Sequence, residues 1–260
     1  MVRLTLDINK SVEQNAAFYY EKAKKIKKKI EGAKKALEDT KNKIEQLEKQ
    51  KLKEDKTKEQ TKTITPSKKE WYEKFRWFVS SEGFLVIGGR DATTNEIIVK
   101  KHADKDDLVF HTDMIGSPFF VIKADNKKIE QKTIKEAADA TVTFSRAWKL
   151  DLQTSSVFYC KPEQLTKEAP PGEYIPRGGF VTKGKLNYIE NKINCAVGTY
   201  NDKIMAGPVE AVKKNCKEYV EIEQGREKAS SIAKYIQKKI GGNIDDIISV
   251  LPSGGFKIKK

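Results

Sequence analysis

The 260-residue sequence predicts an α+β protein: a long N-terminal coiled-coil helix followed by a mixed-sheet α+β globular domain. Three observations predict it. Apolar and small residues recur in alternating steps of four and three from Val12 to Leu47, which is the pattern of a helix that packs along one seam. Beyond Pro66 the pattern changes to short apolar strands and helices in alternation, with Gly- and Pro-bearing turns between them. The charge divides at the same place: residues 1–70 hold 20 Lys+Arg against 12 Asp+Glu, and residues 71–260 hold 31 against 25. More than half of the net charge of +14 therefore lies in about a quarter of the chain. The expected organisation is an arm with its linker at 1–66, a globular domain at 67–190, and a C-terminal α/β extension at 191–260 packed on it.

The arm is expected from residue 11 to about 52. Ser11 and Gln14 form a capping box at its start. The seam is Val12, Ala16, Tyr19, Ala23, Ile26, Ile30, Ala33, Leu37, Thr40, Ile44 and Leu47. A stripe this thin leaves an isolated helix marginal in water, so it calls for a partner: a second copy of the chain, giving a homodimer, or a helix from elsewhere. The stretch KLKEDKTKEQTKTITPS that follows has no apolar periodicity, and Glu54 to Thr65 is expected to be disordered.

In the globular part, WYEKFRWF (71–78) places Trp71, Phe75 and Phe78 on one face of a short helix, Lys68 to Phe78. Gly83–Gly88 and Asn95–Lys100 are expected as the two strands of a hairpin, with GGRDA as its turn. Leu108–His111 and Pro118–Lys123 are strands around DMIGS. A helix from Thr133 to about Lys149 carries Ile134, Ala137, Ala138, Thr141, Phe144 and Trp148 at helical period. SSVFYCK (155–161) is a strand, and PEQLTKEAPPGEYIPRGG is a long loop or set of turns. Phe180–Thr182 and Asn187–Ile189 are short strands flanking a turn at Gly184. Ala196–Thr199 and Tyr219–Glu223 are strands, and Val209–Asn215, Arg226–Ile240 and Ile244–Val250 are helices.

Several classes of function are disfavoured by composition. No run of about 18 apolar residues occurs, so no membrane span is expected, and the N-terminus lacks an apolar signal region. Three cysteines, Cys160, Cys195 and Cys216, with no CxxC spacing, speak for a reducing, cytoplasmic compartment. With only His102 and His111 besides, no metal site and no cofactor are expected. GGRDA is not a GxGxxG phosphate loop, and the expected hairpin leaves no helix after it; the turn displays Arg90 instead. His111 and Asp113 have the residue types of a base and its orienter, but no nucleophile elbow accompanies them; turn-stabilising roles, or contact with RNA 2′-hydroxyls, suit them better. Trp148 falls on the apolar stripe of its helix and is expected in the core. Arg146, Lys149, Lys167, Lys183 and Lys185 recur at turns and helix ends. Basic turns of this kind suit RNA phosphates.

The blocks WYEKFRWFVSSEGFLVIGGRDATTNEIIVKK, DLVFHTDMIGSPFFVIK, TIKEAADATVTFSRAWK and PEQLTKEAPPGEYIPRGGFVTKGKLNY, in this order, resemble the NFACT-R domain of the NFACT family (the NEMF, RqcH and fibronectin-binding-A-like proteins) over about residues 68–190. LDINKSVEQNAAFYYEKAKK resembles the start of that family's coiled-coil segment, and IMAGPVEAV with VLPSGG resembles its archaeal branch. The resemblance implies a non-catalytic RNA- and ribosome-binding module of a ribosome-associated quality control factor, acting on stalled large ribosomal subunits that carry tRNA. Its implied partners are tRNA or ribosomal RNA and the large subunit. The family's N-terminal NFACT-N domain is not matched by these residues, so the resemblance leaves two expectations, a truncated piece of a longer protein or a split-off fragment. RNA-binding residues expected on this basis are Arg90, His111, Arg146, Lys149, Lys167, Lys183, Lys185 and Asn187. The alternative from another class is a protein-interaction scaffold, acting through the coiled coil and the aromatic segment 71–78.

Overall fold

The structure is a computed structural model that describes residues 5–58, 70–169, 172 and 174–259. It divides into two compact units, Met1–Lys68 and Lys69–Lys260.

The first unit is built on one helix, α1 (Val12–Lys58). Its start is the expected capping box: the Ser11 N–H donates to Gln14 Oε1 at 3.0 Å and the Gln14 N–H donates to Ser11 Oγ at 3.3 Å. The buried Asn15 amide reaches back to the carbonyls of Asp7, Lys10 and Ser11, and the Tyr19 hydroxyl donates to the Thr5 carbonyl. Five seam residues, Val12, Ile26, Ile30, Leu37 and Ile44, are exposed. The helix continues six residues beyond the expected end near 52, to Lys58, and takes in Glu54, the first residue of the stretch expected to be disordered. The rest of that stretch, from 59 on, lies outside the described residues, as does the start of the expected helix at 68.

The second unit opens with a single 3-10 turn, Trp71–Lys74, followed by β1 (Arg76–Val79) and β2 (Leu85–Gly88). Then come α2 (Ala92–Lys101), β3 (Leu108–Thr112), β4 (Phe120–Ile122), α3 (Gln131–Thr143) and the one-turn α4 (Arg146–Lys149). β5 (Val157–Cys160), β6 (Leu165–Thr166), β7 (Val181–Thr182) and β8 (Asn187–Ile189) follow. The chain ends with β9 (Cys195–Tyr200), β10 (Lys203–Gly207), α5 (Val209–Asn215), β11 (Tyr219–Glu227), α6 (Ala229–Ile240), α7 (Ile244–Val250) and β12 (Phe256–Ile258).

One sheet has the order β1-β2-β4-β3-β5-β8, a second β10-β9-β11-β12, and β6 pairs with β7. All pairings among the described residues are antiparallel, so the sheets are not mixed as expected. The reason is topological: β2 and β3 run the same way across the α2 crossover, but β4 inserts between them and reverses each contact. α3 lies on β3, β4 and β5, and α5 packs on β1 and β9. The Asn215 amide donates to the carbonyls of Val79 and Ser80, which ties α5 to the end of β1. Phe75, Phe78, Phe110, Phe120, Trp148 and Phe256 are the largest rings that are fully buried. Lys123, buried, pairs with Asp107 and, at 2.5 Å, with Asp104.

Three expectations are corrected by this architecture. The segment 71–78 is not an α-helix: Trp71–Lys74 is a 3-10 turn, and Arg76–Val79 pairs with Leu85–Gly88 as a strand that buries the consecutive residues Trp77 and Phe78. Asn95–Lys100 is helix, not strand, because Asp91 caps it: its carboxylate accepts from the Thr94 N–H at 2.8 Å, and the Thr94 hydroxyl accepts from the Asp91 N–H at 2.9 Å. A helix therefore does follow GGRDA, and the hairpin partner of β2 is β1. The helix expected over Thr133–Lys149 breaks at Phe144, where Ser145 caps α4 by accepting from the Ala147 N–H at 3.1 Å. The two short strands around Gly184 exist, but β7 pairs with β6 and β8 with β5.

Candidate nucleic-acid interface

A cleft of about 490 Å³ opens where four chain segments meet: the β2–α2 turn, the β3–β4 loop, α4, and the loop carrying Arg177. Each wall has a local cause. The turn 88–91 is tight because Gly89 lies against the Asn95 side chain, leaving no room for a Cβ. Asn95 is buried and joins two walls: its Nδ2 donates to the Ser117 carbonyl at 3.2 Å and its Oδ1 accepts from the Phe119 N–H at 3.1 Å. The β3–β4 loop is closed on itself by Thr112 and Ser117, whose hydroxyls share a hydrogen bond. Ser145 sets the direction of α4.

The fourth wall is pinned to α2 by Glu96. Its carboxylate accepts from the Gly178 N–H at 3.2 Å and pairs with Lys167 at 3.3 Å and with Lys100 at 2.7 Å. The Lys100 hydrogen bond, the Gly178 N–H and Lys167 hold its pKa down, to about 2. Gly178 has φ +80, and a Cβ there would sit 2.6 Å from Ala92 Cα. Only glycine gives both the left-handed backbone and the close approach.

Five cations line the cleft, Arg76, Arg90, Arg146, Lys149 and Arg177, with Asp91 as its carboxylate. Arg90, Arg146, Lys149 and Arg177 are exposed, and Arg76 is partly buried. Arg90 Nη2 donates to the Glu73 and Phe75 carbonyls at 3.3 and 3.1 Å, which fixes its guanidinium beside the start of β1. Asp91 is committed to capping α2 rather than to pairing with Arg90. Cations so arranged favour a polyanion that follows the cleft.

Of the eight residues expected at an RNA site, Arg90, His111, Arg146 and Lys149 come together here. His111 is held by the Ser117 carbonyl at 3.2 Å and stacks on Phe119 with ring centres 4.1 Å apart. Burial lowers its pKa, so its ring is neutral near pH 7. Asp113 is reached by the Tyr188 hydroxyl at 3.4 Å instead of forming a dyad with His111. Lys167 is turned to bracing: besides Glu96, it lies over the Phe180 ring at 4.5 Å, and that ring lines the cleft. Lys183 is away from the cleft lining and pairs with Glu168 at 2.6 Å. Lys185 and Asn187 are exposed on the same stretch, where Gln164 donates to the Lys183 and Lys185 carbonyls, both at 3.0 Å. Trp148 is buried as expected, its indole N–H donating to the Gly255 carbonyl at 3.0 Å.

Sequence reasoning left Arg76, Asn95, Arg177 and Gly178 out of the site. Asp91-x-x-Thr94 was the signal for α2 and would have brought Asn95 to the cleft. Nothing local marks Arg76, which sits 14 residues from Arg90 and meets it only through the sheet. In the aromatic segment 71–78, Phe75, Trp77 and Phe78 are buried, whereas Trp71 is exposed and stacks on His102. Among the described residues no cluster of metal-ligating side chains occurs and no helix is long and apolar enough to cross a membrane.

The family model for the NFACT protein RNA binding domain matches residues 74–184, the segment that contains nearly all of the cleft. The chain is 43% identical over 209 residues to the archaeal Rqc2 homolog aRqcH of Methanocaldococcus jannaschii, covering 77% of this chain and 31% of that protein. It is 38% identical over 184 residues to the human ribosome quality control complex subunit NEMF, covering 67% of this chain and 16% of that protein. The ribosome quality control complex subunit 2 of Schizosaccharomyces pombe is 34% identical over 195 residues, covering 72% and 18%. The chain thus spans less than a third of the length of these relatives. Matched through its cleft-bearing segment and through its identity to these relatives, the chain belongs to the NFACT family.

Proposed function

We propose that this chain is the RNA-binding part of a ribosome-associated quality control factor of the cytoplasm, non-catalytic in itself, and that the cleft is where its globular unit holds RNA. The observation that carries the reading is the convergence of Arg76, Arg90, Arg146, Lys149 and Arg177 from four chain segments on one concave surface with a single carboxylate, itself committed to a helix cap. Arg146, Lys149 and Arg177 contact backbone phosphates at the rim, and His111 stays neutral and shapes the wall. Lys183, Lys185 and Asn187 form a second, shallower contact for the same RNA. tRNA and ribosomal RNA on large subunits are the proposed ligands, in keeping with the names of the relatives. The domain limits 1–66, 67–190 and 191–260 belong to this proposal, as does pairing of α1 with a second copy.

The test is a tRNA and large-subunit pull-down at moderate salt, with wild type and R146E/K149E. Retention of both ligands by wild type and their loss in the variant is the expected result. Equal retention by the two proteins would remove the cleft from the reading, and no retention by wild type would remove RNA.

A further inference from the structure

Resting on the proposal that the cleft holds RNA, we infer that it contains a phosphate subsite, formed by the half-buried Arg76 and the carbonyl-anchored Arg90, that takes a phosphate of an unpaired RNA strand. Arg76 is only partly exposed, yet it lines the cleft. One of its donors, Nη1, goes to the Leu251 carbonyl at 3.1 Å, and its guanidinium lies over the Phe144 ring at 4.7 Å. Neither contact neutralises its charge. No carboxylate among the described residues acts on it; the groups that do are the Arg90 guanidinium, anchored on the carbonyl of the preceding residue, Phe75, and, more weakly, the buried Cys195 thiol. Burial first, and Arg90 second, push the Arg76 pKa down to about 10.

Two cations held together in a partly desolvated place are unfavourable unless an anion joins them. Both guanidiniums keep donors in hand, since Arg90 commits Nη2 alone and Arg76 one Nη1 bond. A tetrahedral phosphate can accept from two guanidinium forks at once. The shape selects the strand. The phosphates of an A-form duplex lie on a convex cylinder that reaches the exposed Arg146, Lys149 and Arg177 but not the half-buried Arg76. A single strand, whose nucleotides can turn out of the stack, can enter a cleft of about 490 Å³.

The experiment measures anisotropy of a labelled uridine dodecamer and of a blunt RNA duplex with equal phosphate number, on the full chain. Wild type is expected to prefer the strand about tenfold at equal salt. In R76Q that preference disappears, with duplex affinity held within about twofold. Inorganic phosphate at millimolar level, against chloride of the same ionic strength, competes with the strand on wild type and not on R76Q. R90Q, altered at an exposed side chain, repeats the measurement should R76Q fail to fold. Equal loss for strand and duplex, or no loss for either, overturns the subsite while leaving RNA binding intact. Absence of binding of both RNAs to wild type overturns the RNA reading itself.

Discussion

The arm and the cleft both carry dense positive charge, and they hold it in opposite ways. On α1, Lys22, Lys24, Lys25, Lys27, Lys28 and Lys29 stand on an exposed helix, where water and salt screen each of them. In the cleft, fewer cations are fixed by the fold: Arg90 by two carbonyls, Arg76 by a carbonyl and a ring, and Arg146 and Lys149 by a capped turn. The number of charges is thus a poor guide to where an anion is recognised. What distinguishes the cleft is that two of its cations, Arg76 and Arg90, are held in place by hydrogen bonds to carbonyls, and that Asp91 is the one carboxylate in its lining.

The largest expected effect separates the two regions directly. R146E/K149E should weaken binding of a tRNA by about a hundredfold at 0.1 M salt. Reversing four arm lysines (K24E, K25E, K27E, K28E) should cost less, and the difference from wild type should vanish near 0.3 M, where screening is stronger. Filter binding across a salt series reads both. A larger loss from the arm would reverse the comparison.

Stability should divide in the same sense. K123M leaves Asp107 buried without its cation and should cost about 3–5 kcal/mol in denaturant unfolding of the globular unit. L37A, on the exposed arm stripe, should change it by no more than about 0.5 kcal/mol. G178A combines a left-handed backbone with a clash against Ala92; it should displace the Arg177 wall and lower RNA affinity several-fold with a smaller loss of stability.

The pH dependence gives a finer test. His111 has a folded pKa below its unfolded value near 6.5, because burial opposes its charged form. The unfolded chain therefore binds more protons as pH falls below about 6.5, and stability should decline from there toward acid. H111Q should flatten part of that decline in melts between pH 7.5 and 5.5, with His102, shifted in the same direction, supplying the rest. An unaltered slope would mean that His111 is not held neutral. The smallest effect is expected from K183A. Its pair with Glu168 is exposed on both sides, so stability should change by less than about 1 kcal/mol.

Local sequence was enough wherever one pattern ruled an element. The arm followed from its seam and its Ser11–Gln14 cap, β3 and β4 from apolar runs, and α5 and α7 from periodicity bounded by turn residues. It misled where two local rules competed. Asn95–Lys100 is rich in β-branched residues, yet the Asp91 cap starts a helix there. Trp71, Phe75 and Phe78 are spaced as on one face of a helix, yet Arg76–Val79 is a strand with Trp77 and Phe78 both buried.

The sequence by itself determined the division into a basic arm and a nearly balanced globular unit, the family through its ordered blocks, and the identity of four cleft residues, because composition, periodicity and motif order are properties of neighbours along the chain. Only the tertiary structure decided that Lys167 braces a wall, that Lys183 answers Glu168, and that Arg76 shares the cleft with Arg90 with no carboxylate among the described residues acting on it. Those outcomes depend on which groups meet across the sheet and how much water remains between them, and neither is written in any single stretch of sequence.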